Sequence, residues 1–167
     1  MPSEGHEGAA GDMLAAALDS AQRGWHVLPL HDVTAGRCSC ALGLSCKTPG
    51  KHPRIRKWTE QATADSALIA GWWRGWPNAN VGILTGRRSN LVVLDVDPRH
   101  DGDRALQELI AENGPLPKTV VARTGGDGWH YYFACPPGDA PVKSFTIAGG
   151  LELKADGTFV VAPPSRT

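Results

Sequence analysis

The sequence predicts an α/β (α+β) domain, on three observations. Short apolar runs rich in β-branched and aromatic residues recur between Gly, Asn and Pro. Three other segments repeat apolar residues at helical spacing. The strand candidates occur both as hairpins and on either side of helices, which favours a mixed or antiparallel sheet. At 167 residues, with 41% hydrophobic and 20% charged, the chain suits one globular unit with a sizeable core.

Residues 1–11, rich in Gly, Ala and Glu, are expected to be flexible, and the folded domain to span 12–167. Asp12 is placed to cap a helix in which Met13, Leu14, Ala17, Leu18 and Ala21 share a face, ended by Gly24. Trp25 to Leu30 then reads as a strand. Residues 31–57 are rich in Gly, Cys, Pro and Lys without periodicity, and so long a loop calls for a staple or a function. Asp65 opens a second helix through Ala67, Leu68, Ile69, Trp72 and Trp73, stopped by Gly75 and Pro77. Strands follow at 80–84, 91–96, 119–123 and 129–135, with a helix from about 103 to 112 between the second and third. Strands at 151–154 and 158–162 flank a tight Ala155-Asp156-Gly157 turn. There is no internal repeat.

No apolar run approaches the about 18 residues a membrane span requires, and no basic segment precedes an apolar one at the N-terminus. A cytoplasmic protein with no membrane partner is therefore expected. Zero net charge argues against global attraction to nucleic acid. Locally, Lys47, Lys51, Arg54, Arg56 and Lys57 form a run without acids, read either as a solvated loop or as a phosphate-binding surface.

Of four cysteines, Cys38, Cys40 and Cys46 cluster and Cys135 stands apart. With His52 they make a Cys₃His set suited to structural Zn²⁺, which would hold a loop over about 32–57. His31 is the alternative imidazole. Four protein ligands leave no open position, which favours a structural over a catalytic role; the alternative is reduced cysteines in a flexible loop.

Leu91 to Asp97 is the most informative run. A strand's period of two puts Asp95 and Asp97 on one side, where two carboxylates repel unless cations neutralise them. Mg²⁺ or Mn²⁺ meets that need and serves phosphoryl transfer; the alternative is a turn opened by Asp97-Pro98. Glu152 and Lys154 share one strand face, as third metal ligand and phosphate partner or as a surface ion pair. Asp156, in a turn, is a poorer candidate. Arg123 to His130 encloses a glycine loop with Gly126 and Gly128, whose amides can cradle phosphate, and His130 can donate to phosphate or move a proton.

The order Cys38-x-Cys40…Cys46…Pro49-Gly-Lys-His-Pro53, Asn80 to Gly86, Leu91 to Asp97, Arg123-Thr-Gly-Gly…His130-Tyr-Tyr-Phe133 and Leu151-Glu-Leu-Lys154 resembles the bifunctional DNA primase/polymerase (prim-pol) domain of the archaeo-eukaryotic primase superfamily. The resemblance spans roughly residues 13–165. It implies an RNA-recognition-motif-like sheet joined to a smaller α/β unit, with the active site in the cleft between them. It further implies Asp95, Asp97 and Glu152 as Mg²⁺ or Mn²⁺ ligands, with His130 and Lys154 on the incoming nucleotide's triphosphate. Arg123, Gly126 and Gly128 are added as nucleotide contacts, and Lys51, Arg54, Arg56 and Lys57 as DNA contacts. Two departures stand out: Gly128 where many primases have serine, and Glu152 where the family usually has Asp.

The implied activity is template-dependent primer synthesis or extension in plasmid, phage or prophage replication. Its partners would be a single-stranded template, a primer and NTP or dNTP. The domain is expected to be a monomer and a fragment of a longer protein carrying a helicase or helical domain. The competing readings are a non-catalytic zinc-containing nucleic-acid-binding module and a metal-dependent nuclease.

Overall fold

The computed structural model describes residues 7–167. Contact density divides the chain into two compact units, Met1–Leu84 with Val161–Thr167 and Thr85–Val160. The expected flexible segment 1–11 lies outside the described residues up to His6. From Glu7 the chain is already helical, so Asp12 lies inside the first helix rather than at its cap.

The first unit begins with α1 (Glu7–Gln22) and β1 (Val27–Leu30). A small hairpin follows, β2 (Val33–Thr34) with β3 (Arg37–Cys38), inside the stretch that shows no periodicity. Then come α2 (Trp58–Gln61), α3 (Ser66–Gly75) and β4 (Asn80–Leu84). Asp65 caps α3 as expected, accepting from Ala67 N at 2.8 Å and Leu68 N at 3.0 Å. β4 is the middle of a three-stranded sheet, between β1 and the late strand β10 (Phe159–Ala162). β1 and β4 are buried along their whole length, and α1 and α3 pack on them. Leu28 lies opposite Gly82, where a Cβ would stand 3.0 Å from both Leu28 Cγ and Leu30 Cδ2. A mid-strand glycine, normally unfavourable, thus leaves the room that the crossing leucines occupy.

The second unit is a five-stranded sheet in the order β6 (Val120–Arg123), β7 (Trp129–Phe133), β5 (Val92–Val96), β9 (Leu151–Lys154), β8 (Phe145–Ala148). All four pairings are antiparallel. β8 has no counterpart in the sequence reading, because an exposed edge strand needs no apolar alternation. One sheet face packs α4 (Gly102–Asn113), with Leu94, Val96, Ala105 and Leu151 as its buried centre. Asp156 belongs to the frame: it accepts from Arg87 N at 2.8 Å and Val142 N at 2.7 Å.

Candidate active site and metal loop

β5 is the centre of its sheet, and register alone assembles a polar row. Asp95 pairs with His130 on β7 and with Glu152 on β9. Directly paired residues share a face, so His130, Asp95 and Glu152 run side by side across three strands. The next row on that face holds Tyr132, Val93 and Lys154. Alternation sends Leu94, Val96 and Leu151 to the opposite face, against α4.

His130 is 8% exposed, and its Nε2 stands 3.4 Å from Asp95 Oδ1. Lys154 Nζ lies 3.9 Å from Asp95 Oδ2 and contacts Glu152 Oε2 closely, offsetting the repulsion between the two carboxylates. Tyr132 is buried with its ring edge-on to His130. Burial, reinforced by the charge of Asp95, pushes its hydroxyl up to about 12 and keeps it protonated near neutrality.

Asp97 follows at the end of β5. Its backbone is clamped where two glycines cross: Asp97 N donates to Gly150 O at 2.7 Å, and Gly102 N donates to Asp97 O at 3.0 Å. A Cβ on Gly102 would stand 2.7 Å from Asp97 N and O. The Asp97 side chain caps the next turn, accepting from Arg99 N at 3.0 Å. Arg99 also grips both carboxylate oxygens, Nε to Oδ1 at 2.9 Å and Nη2 to Oδ2 at 3.0 Å, and His100 Nδ1 is 3.0 Å from Oδ2. The Arg99 hydrogen bonds outweigh partial burial and, with His100, hold the Asp97 carboxyl far below the usual carboxylate range. Asp97 lies just past the end of β5, and its carboxylate is engaged by Arg99 and His100. Among the described residues, the acidic row does not form a closed metal-ligand cluster.

The glycine loop is closed on itself. Thr124 N donates to Gly128 O at 2.9 Å, and Gly128 N donates to Thr124 Oγ1 at 3.0 Å. The Gly128 amide is thus engaged inside the loop rather than presented to a phosphate. Gly128 has a packing reason instead: a Cβ there would run into the Val96 carbonyl and meet Pro98 Cδ at 3.1 Å. That leaves no room for serine. Arg123 also departs from expectation. It pairs with Trp129 in the register, which puts it on the face opposite His130, and it binds Asp127 Oδ1 at 2.7 Å.

In the first unit, Cys38, Cys40, Cys46 and His52 bring one ligand atom each within 4.8 Å of one another. His52 Nε2 is 3.5 Å from both Cys38 Sγ and Cys46 Sγ. Tetrahedral zinc with bonds of about 2.0–2.3 Å spaces its ligands about 3.5–3.8 Å apart, so the set fits zinc. Burial alone would raise the Cys38 thiol, but backbone hydrogen bonds at Cys40 and Gly50, with His52, lower it toward the thiolate that a metal requires. The loop is anchored: His31 N donates to His52 O at 2.9 Å, and Asn80 Nδ2 donates to Gly50 O at 3.0 Å. His31 itself stacks on His52 with centroids 4.4 Å apart and turns Nδ1 to Ser39 Oγ at 3.0 Å. It supports the ligand and stays outside the cluster. Arg54, expected on DNA, faces inward to Asp32 and Ser39 and lies over the Trp76 ring. Lys51, Arg56 and Lys57 remain exposed.

A scan of known families matches residues 17–167 to the bifunctional DNA primase/polymerase, N-terminal (Prim-Pol) family. The chain belongs to the Prim-Pol family. A search of curated proteins finds no match to it. Membership supports a function of the DNA primase/polymerase type, with DNA and nucleotides as the general class of ligand. Within this Prim-Pol domain, the sequence reading missed Arg99, His100 and Tyr132 beside the acidic row. The signal for the first two was present, since Pro98-Arg99-His100 directly follows the carboxylates.

Proposed function

We propose that this Prim-Pol domain is a template-dependent nucleotidyl transferase that synthesises or extends primers in plasmid, phage or prophage replication. The observation that carries the reading is the His130–Asp95–Glu152 row across three paired strands, with Lys154 beside it. Asp95 and Glu152, side by side, with Asp97 at the end of the same strand, are the hard oxygen donors that Mg²⁺ or Mn²⁺ prefers. Such ions, when bound, lower the pKa of the attacking 3′-hydroxyl and neutralise the pyrophosphate leaving group. His130, buried and fixed by its strand, donates to the triphosphate, and Lys154 supplies a positive charge beside it. The zinc set holds the loop that bears Lys51, Arg56 and Lys57, which contact template or primer phosphates. A helicase or helical domain in the parent protein would complete the replication function.

A non-catalytic zinc-bearing DNA-binding module is the second reading, favoured by the Cys₃His set being the closed ligand cluster among the described residues. Primer extension with labelled dNTP and Mn²⁺ separates the two. Extension by the wild type, reduced at least about a hundredfold in Asp95→Ala while DNA binding persists, supports the transferase. DNA binding without turnover in the wild type refutes it, and shortening of the labelled strand assigns a nuclease instead.

A further inference from the structure

We propose that Arg99 is a movable phosphate ligand of this site. Its guanidinium guards Asp97 until a divalent cation takes that carboxylate, then turns to the nucleotide phosphates beside the glycine loop. The inference rests on the metal-centre reading given above and adds to it a residue that reading does not use.

Three observations support it. First, the grip on Asp97 is complete: Arg99 covers both oxygens, at 2.9 and 3.0 Å. With Arg99 N and Nε on Oδ1, and Arg99 Nη2 and His100 Nδ1 on Oδ2, the acceptor positions of the carboxylate are filled, so a dication needs a donor to leave, and the permanently charged guanidinium is the one it repels. Second, the Arg99 side chain is 61% exposed and sits on a turn, so leaving Asp97 disrupts no core packing. A planar guanidinium fork suits phosphate as well as carboxylate. Third, the guanidinium already lies beside the glycine loop while it holds Asp97. A Cβ on Gly126 would stand 3.0 Å from Arg99 Cζ and 3.1 Å from Nη2, so glycine at 126 is what lets the guanidinium lie against the backbone. Arg123, the arginine that sequence offers for this task, lies on the other face with Asp127. Among the described residues, Arg99 is the guanidinium bound to Asp97.

Opposite signs follow for two affinities, which a merely structural role would move together. Mn²⁺ binding is read from the electron paramagnetic resonance signal of the free ion, without nucleotide and with a non-hydrolysable α,β-imido dNTP. Arg99→Ala is expected to bind Mn²⁺ alone about two- to fivefold tighter, the range an exposed ion pair contributes. The same variant is expected to bind the Mn²⁺-nucleotide about tenfold or more weakly, as for loss of a hydrogen bond to a charged group. Arg99→Lys, a cation without the fork, should fall between. If Arg99→Ala binds Mn²⁺ no tighter, or the nucleotide no more weakly, the inference is overturned. Asp95→Ala distinguishes the levels. If that variant loses Mn²⁺ while Arg99→Ala matches the wild type, only the role of Arg99 fails. If Asp95→Ala keeps full Mn²⁺ binding, the metal centre fails and this inference with it.

Discussion

Asp97 accepts hydrogen bonds from the turn it caps, and Arg99 and His100 close on it from the next two positions. Because these donors favour the ionised form, the folded carboxyl titrates below the roughly 3.9 of an unfolded Asp. The unfolded state then binds more protons just below that value. The stabilisation is present above about pH 4 and is lost as pH falls toward the depressed folded value. Urea midpoints at pH 5 and pH 3 should therefore drop more in the wild type than in Asp97→Asn. Equal drops would remove Asp97 from the account of acid sensitivity. At this scale much was legible: Asp95, His130 and Glu152 are picked out by residue type and spacing. Arg99 follows the acids directly in the sequence, but its close approach to Gly126, 27 positions along the chain, exists only in the fold.

At the scale of elements, strand register does what no single residue can. One step of slip in β7 would carry His130 to the α4 face and bring Tyr131 to Asp95. The same alternation explains why Arg123 misses the site although it is close in sequence. The metal loop depends on pairing of another kind, the run of His52 and Arg54 along β1 through bonds to His31 and Pro29. That placement gives His52 to the cysteines and stacks His31 behind it. We therefore expect His52→Ala to lose zinc, measured as metal per protein, and to melt several degrees lower, as about 1 kcal/mol shifts a domain of this size by about 2–4 °C or more. His31→Ala should retain its zinc with a smaller shift. Retention of zinc by His52→Ala and its loss in His31→Ala would reverse the assignment. The β2–β3 hairpin and β8 escaped the sequence reading, since two-residue strands and exposed edges carry almost no periodic signal.

At the scale of the whole molecule, the chain has 17 basic and 17 acidic residues, so no long-range field gathers nucleic acid. Binding must come from local contacts, and Arg54 is withdrawn from them by Asp32, Ser39 and Trp76. Of the four DNA contacts offered by the basic loop, Lys51, Arg56 and Lys57 stay exposed, and three single-strand phosphate contacts give a log–log salt slope of about −2. The triple alanine variant should flatten that slope, measured by fluorescence anisotropy over a salt series. Arg54→Ala should instead lower stability with little change in slope. A wild-type slope much steeper than about −4 would require cations elsewhere on the chain. No helix among the described residues is long and apolar enough to cross a membrane.

The sequence by itself determined which chemistry was available. Two acids two apart at the end of an apolar strand are brought close together, and three cysteines with a histidine in one loop can close on one ion, because both constraints operate over a few bonds of local backbone. The family could be read from the same motifs, since their order along the chain is a linear property. The tertiary structure decided which groups meet. Pairing between strands far apart in sequence put Glu152 and His130 on either side of Asp95 and turned Arg123 away, and the fold set His52 rather than His31 against the cysteines. Those choices follow from register and close backbone approach, which depend on partners brought together only by the fold.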